Sequence, residues 1–565
     1  MQRTCANPQC KRLFEITQED LAFYEKISPV FPSTALGAGN GKKELIPAPT
    51  LCPDCRWQRR LAWRNERHLH HATCNSCQKN ILSMYVPAEE TIQYCQDCYF
   101  GDEWDGVEQA RDGNLQQPFF QQFSTLFRRI PKLHLYVKSS ENCEFTNIAL
   151  ENKNCYLLVG SGFSRDCYYG THIFYCENCV DATFSERCEE CYEVTNCEKC
   201  YRCVHSLQSQ QCHNSAFLFD CRDCDSCINC WNLRNKKYFI ENVAVSAEEF
   251  NRYRQEKLPA LLAHPADTLR SIALRALHRP MISVGSEEVS GDFVYHSKNA
   301  HDCYNIDGCH DVVRLAACIQ QKDSHDALGT SLGELAYDCF NDDWPHQTGW
   351  CMNSTYLDDC WYCDSCDHGE HLFGCVGLKH KKYCILNKQY SKEEYERLVP
   401  QIIAKMRADK KWGEFFPVEL SPFAYNETVA QEYFPLTKAE ALKRGWKWRE
   451  EKEEAPKVSK VIPAEKLPDS NDDVPDDILN WAIECEATKR PFRIIRQELD
   501  FYRKMRLPIP RFHPDERHRR RLALRNPRKL WKRPCMKCQK EMQTTYSPDR
   551  PEIVYCEQCY LKEVY

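Results

Sequence analysis

The sequence predicts a multidomain, mainly β chain in which cysteine modules at both ends flank a duplicated, cysteine-rich, β-solenoid-like repeat region with helical segments. Three observations predict it. The 38 cysteines fall into three blocks: eight before residue 100, twenty-five from 143 to 384, and five from 485 to 559. The two end blocks share one sequence. The middle block spaces its cysteines by multiples of three and is itself doubled.

Composition sets the frame for these elements. The chain has 565 residues, 42% hydrophobic and 12% aromatic, enough to build cores in several domains. A formal charge of −6 gives no overall pull toward nucleic acid or acidic membrane. The opening MQRTCANPQCKR has no apolar signal core, and no run of ~18 apolar residues occurs, so a cytoplasmic chain with no membrane role is expected. In that compartment cysteines serve as metal ligands or buried thiols rather than disulfides.

The end modules come first. CPDCRWQRRLAWRNERHL (52–69) aligns without a gap with HPDERHRRRLALRNPRKL (513–530), and CNSCQK…YCQDCY (74–99) with CMKCQK…YCEQCY (535–560); 22 of the 48 positions from 52 to 99 are identical. Upstream, KRLFEITQEDLAFYEK (11–26) matches KRPFRIIRQELDFYRK (489–504), and the N-terminal copy adds a Gly/Pro-rich insert around 37–49, expected as a surface loop. A C-x2-C turn presents two thiolates from one knuckle, and two knuckles complete a tetrahedral zinc site. Cys74, Cys77, Cys95 and Cys98 form one such set, and Cys535, Cys538, Cys556 and Cys559 another. Cys5, Cys10, Cys52 and Cys55 form a third. Its C-terminal copy has decayed to Cys485, Thr488, His513 and Glu516. Loss of one complete set beside an intact one favours sequential over cross-braced sites. Four cysteines leave no open position, so about three structural Zn2+ ions are expected.

The arginines beside the decayed ligands did not decay. Arg56, Arg59, Arg60 and Arg64 reappear as Arg517, Arg520, Arg521 and Arg525, spaced to lie on one helix face. Residues 511–533 hold ten Lys/Arg against two acids, and Trp57, Trp63 and Trp531 lie nearby. Such a stripe is a candidate nucleic-acid-binding surface; the opposing reading is a solvated face, or arginines pairing with acids inside the fold.

In the middle block many units read Asn/Asp-Cys-aromatic, as in Asn154-Cys155-Tyr156 and Asp359-Cys360-Trp361. A short fixed period with recurring small residues predicts stacked coils, with steps of 9 and 12 suggesting coils of about 21 residues. Asn and Asp would occupy the turns and cysteine the interior. Extra zinc at Cys176/Cys179/Cys188/Cys191 or Cys221/Cys224/Cys227/Cys230, disulfides and thiol redox chemistry stay open as alternatives. CWNLRNKKYFIENVAVSAEEF (230–250) aligns with CVGLKHKKYCILNKQYSKEEY (375–395), and Ser246/Glu249 and Ser391/Glu394 are capping boxes that open helical segments over 246–280 and 391–447. The predicted organisation is therefore a zinc module over 1–110, repeat halves over 134–280 and 287–449, a charged linker over 450–477, and a second zinc module over 478–565.

With C-x4-C…CPDCR, an arginine-rich helix and CxxCQK…YCxxCY, the end modules resemble the zinc-ribbon or treble-clef domains of uncharacterised cysteine-rich bacterial proteins from candidate phyla. The resemblance covers both ends and, in the middle, the KKYCILNKQYSKEEY segment. It implies zinc binding and carries no established activity. The sequence lacks HExxH, P-loop, GxSxG and dinucleotide motifs. A non-enzymatic zinc-binding scaffold is expected, with RNA, DNA or a ribonucleoprotein as partner through the arginines. A protein–protein scaffold is the alternative, and a thiol redox enzyme, or one using the cluster His68/His70/His71, a third.

Overall fold

The computed structural model describes residues 1–32, 41–88, 91–450 and 456–565. The chain forms two compact units, each assembled from separated segments. The first contains 1–135, 281–449 and 528–530; the second contains 136–280, 450–527 and 531–565. Each unit thus joins one end module to one repeat block: the N-terminal module to the second block, the C-terminal module to the first.

Within each block successive strands run parallel at a spacing of twelve residues, shortened to eleven at the start of the second block, and each block ends on an antiparallel pair. Thr171 faces Thr183 and Ala216 faces Ile228 in the first block; His310 faces Lys322 and His346 faces Asp358 in the second. Single bridges carry the same register through the first block, from Tyr156 to Tyr168, Val180, Tyr192 and Val204. The expected coil of about 21 residues is therefore corrected to twelve. Gaps of 9 and 12 are not two parts of one coil; both are multiples of a three-residue side.

That side has a fixed plan. Every third residue is left-handed, as at Asp166, Tyr169, His172, Tyr175 and Asn178, with φ from 50° to 60°. The next residue points inward and the third bridges to the neighbouring coil. A left-handed L-residue costs about 1–2 kcal/mol, so the plan needs compensation at every corner. It comes from the next coil: the corner amide of Asp181 donates to the Tyr168 carbonyl (3.0 Å), and the bridging amide of Tyr168 donates to the Cys179 carbonyl (2.9 Å). A single coil has neither bond, so the coils are stable only as a stack.

Cysteine is the commonest inward residue, interspersed with small or apolar ones such as Ala182, Val194, Ser206 and Leu218, and nearly all of these thiols are buried. A twelve-residue coil encloses little space, and cysteine fills it with a small apolar group carrying a weak donor. The bonding repeats down the stack. Cys179 Sγ reaches the carbonyls of Glu177 (3.4 Å) and Cys188 (3.3 Å), and Cys191 Sγ those of Glu189 (3.3 Å) and Cys200 (3.4 Å). Ser206 makes the corresponding first bond to Val204 O at 3.2 Å. Burial pushes the thiols of Cys303, Cys366 and Cys375 well above their ordinary range, which keeps the proton these bonds use.

Each stack closes on a capped helix. Ser246 accepts the Glu249 amide at the start of Ala247–Glu256, and Ser391 and Glu394 form a full capping box on Lys392–Ala408. Phe250 packs on Tyr238, and Tyr395 on Tyr383, both pairs at 5.8 Å.

Two loop expectations are corrected. In the expected linker, 451–455 lie outside the described residues, but Lys460–Pro463 pairs in parallel with Trp481–Glu484, and Ile462, Leu467, Val474 and Ile478 are buried in the second unit's core. Four apolar residues scattered among charges and prolines suffice for a packed irregular segment that shows no periodicity. In the N-terminal insert 33–40 lie outside the described residues; Gly41–Lys43 pairs with Val30–Pro32, Ile46 is buried, and Glu44 binds Arg407. No helix among the described residues is long and apolar enough to cross a membrane.

Candidate metal centres

Three four-cysteine sets converge: Cys5/Cys10/Cys52/Cys55, Cys74/Cys77/Cys95/Cys98 and Cys535/Cys538/Cys556/Cys559. In all three, the first pair sits on a tight hairpin turn. The amide of its first cysteine donates to a carbonyl across the turn, from Cys5 to Arg12 (2.8 Å), Cys74 to Lys79 (2.9 Å) and Cys535 to Lys540 (2.9 Å). Lys11, Gln78 and Gln539 supply the left-handed residue that closes each turn. The second pair begins a helix: Cys52 caps Pro53–Leu61, Cys95 caps Gln96–Phe100 and Cys556 caps Glu557–Val564. Each capping amide donates to the first sulfur of its set, at 3.3, 3.3 and 3.1 Å.

This arrangement is suited to thiolates around an ion. Cys10–Cys52, Cys77–Cys95 and Cys538–Cys556 each bring their sulfurs to 3.7 Å. A tetrahedron with metal–sulfur bonds of about 2.3 Å has edges of about 3.8 Å. The helix N-termini and N–H···S bonds stabilise negative sulfur. Burial raises the Cys74 and Cys535 thiols, but surrounding backbone amides outweigh it and lower them to about 7 and about 6. The residues therefore fit a tetrahedral divalent ion, and the sets are sequential, not cross-braced.

The degenerate copy keeps the scaffold without the donors. Cys485 donates its amide to Arg490 O (2.9 Å) and Lys489 takes the left-handed position. Thr488 cannot ligate well, and Glu516 is held by Arg519 and Arg520 at 2.7 and 2.8 Å. An ion pair from the hairpin to the helix, Arg490–Asp515 (3.1 Å), matches Arg12–Asp54 in the metal-competent copy. It links the two elements where no ion does.

The arginine stripe lies elsewhere than phosphate recognition requires. In the first unit Arg56 binds Asp326 (2.8 Å), Arg59 binds Asp338 (3.0 Å) and Glu414 (2.7 Å), Arg60 binds Asp338, and Arg64 binds Glu66 (2.5 Å). In the second unit Arg517 binds Asp181 and Glu498 (3.3 Å), and Arg521 binds Asp181 (2.6 Å) and Glu193 (3.4 Å). Arg56, Arg59, Arg60, Arg64, Arg517 and Arg521 are all buried. For these six the nucleic-acid reading is corrected: a buried guanidinium already held by carboxylates cannot meet a phosphate. Arg520 bonds Glu516 and covers Phe512, while Arg525 bonds Asn196 (3.2 Å) and covers Phe184. Trp63 packs between Phe127 and Phe416, and His70 faces Glu427 at 3.1 Å.

The two dockings are copies of each other. In the register that sets Cys230 opposite Cys375, Asp181 falls opposite Asp326 and Glu193 opposite Asp338. The same arginines therefore meet acids at the same corners of both blocks. Burial raises the Asp326 carboxyl, but Arg314, Arg56 and Arg60 overcome it and hold it below the ordinary range. These acids were missed in the sequence because each lies within an Asn/Asp-rich corner row and resembles any other turn residue. Their signal was present only in the alignment of the two blocks.

No known protein family matches this chain, nor does any curated protein.

Proposed function

We propose that the protein is a non-enzymatic zinc-binding scaffold that serves protein partners. In this reading the end modules are treble-clef domains, each holding a β-solenoid of twelve-residue coils, with structural Zn2+ at the three four-cysteine sets. The observation that carries it is the closed donor set: four converging sulfurs per site leave no position for substrate or water. The repeat blocks supply long, regular surfaces of the kind that repeat arrays use for binding.

Burial of six of the eight arginines, five of them against Asp181, Asp326 or Asp338, supports protein partners over RNA or DNA. Titration of the nuclease-treated, zinc-loaded full chain with mixed-sequence RNA and DNA at 50 and 200 mM salt tests the choice. The scaffold reading expects no specific, steeply salt-dependent binding, and in-cell cross-links that survive nuclease. Tight binding that weakens linearly in log salt would restore a nucleic-acid role.

A further inference from the structure

One ring pile in the second block has no counterpart in the first. Trp344, Tyr356, His368 and His380 occupy one corner of four successive coils. Trp344 lies 4.6 Å from Tyr356, Tyr356 4.5 Å from His368, and His368 4.7 Å from His380, measured between ring centres. The rings lie over one another at interplanar angles from 14° to 31°, so the inner ones offer edges more than faces to solvent. That geometry suits coordination through ring nitrogens better than stacking on a ligand. Asp367 stands beside the pile, its carboxylate 2.9 Å from His368 Nδ1. One ligand atom from each of Asp367, His368 and His380 lies within 4.8 Å of the others.

We propose that Asp367, His368 and His380 form an exchangeable site for a borderline divalent transition ion such as Ni2+ or Zn2+. Two imidazoles and one carboxylate match the donor preference of such ions and leave coordination positions for water or a partner's side chain. The 2.9 Å between the Asp367 carboxylate and His368 Nδ1 is close to the separation of two neighbouring donor atoms on one ion, so both can bind it directly. Tyr356 restricts the rotation of His368, so part of the ordering is already built into the stack. The competing cation is directed away: Lys379 extends to the Tyr99 carbonyl at 2.6 Å. In the register of the two blocks the first block carries Arg222, Asp223 and Asn235 at the equivalent positions, a set that cannot replace it. The three residues are half-buried to exposed, unlike most ligands of the four-cysteine sets, so the ion exchanges with solvent.

Calorimetric titration of Ni2+ into the full chain, with its four-cysteine sites zinc-loaded and exchangeable ions then cleared by a mild chelator, tests the proposal. One equivalent should bind, and affinity should fall at least tenfold in His380→Asn and in Asp367→Asn, while His371→Asn leaves it unchanged. Circular dichroism of each variant checks that the stack is intact; if His380→Asn unfolds, Asp367→Asn carries the test alone. No binding, or equal binding in His380→Asn and Asp367→Asn, would overturn the proposal.

Discussion

Replacing Asp181 with Ala leaves the buried guanidiniums of Arg517 and Arg521 without their shared carboxylate. Arg517 retains Glu498 at 3.3 Å and Arg521 retains Glu193 at 3.4 Å, neither as close as the lost contacts. Removing one partner of a buried pair costs about 3–5 kcal/mol, chiefly because the remaining charge is desolvated and unpaired. If that cost falls on docking of helix Pro514–Ala523, the helix opens on the order of a hundred- to several-thousand-fold more often. Hydrogen exchange of its amides reads this directly. The control is Glu141→Ala at the exposed Glu141–Lys153 pair, where about 0–1 kcal/mol is expected. Adding Arg517→Met, Arg521→Leu, Glu193→Gln and Glu498→Gln to Asp181→Ala should restore part of the protection, because the buried charges are then removed together. Protection that changes less than tenfold in Asp181→Ala, or as little as in the control, would refute the docking role of the stripe.

Further outcomes follow from the same contacts. Chelation under reducing conditions should raise exchange in 1–30, 50–64, 70–100 and 531–565, yet leave 485–527 protected, since that copy is joined by Arg490–Asp515 instead of an ion. Cys203→Ser should cost no more than about 1 kcal/mol, because serine already serves the inward position at Ser206, whereas Cys203→Phe should disrupt the stack in a urea melt. His205 is buried between Tyr192 and Phe217, and desolvation, aided by the charge of Arg521, lowers it to about 3. Its stability contribution is complete above the ordinary histidine value of about 6.5 and declines as pH falls from there toward 3, because the unfolded chain binds the proton first. His205→Phe should therefore show a smaller loss of melting temperature between pH 7.5 and 5 than the parent protein.

The sequence showed the cysteine sets and the capped helices because their spacing is local: a knuckle, a capping box and a helix face each span a few residues. The multiple-of-three rule was equally visible, but coil length was not. It depends on which residues pair across coils, and Tyr156 gives no sign that its partner is Tyr168 rather than a residue 21 positions away. The arginine stripe shows the same limit from the other side. Persistence of Arg56 and Arg60 as Arg517 and Arg521 marked them as needed, yet their partners Asp326 and Asp181 lie hundreds of residues away among many similar corner acids. Even the crossed pairing of modules with blocks follows from these long-range contacts, since the chain order alone would place the N-terminal module beside the first block.

Metal content is the decisive measurement. Elemental analysis of the full chain, after a mild chelator has cleared exchangeable ions, should give three zinc ions per chain, falling to two in Cys74→Ser or in Cys535→Ser. Six or more ions would place metal in the repeat stacks and contradict the reading of their cysteines as buried, hydrogen-bonded core thiols; none would remove the structural ions on which the scaffold depends.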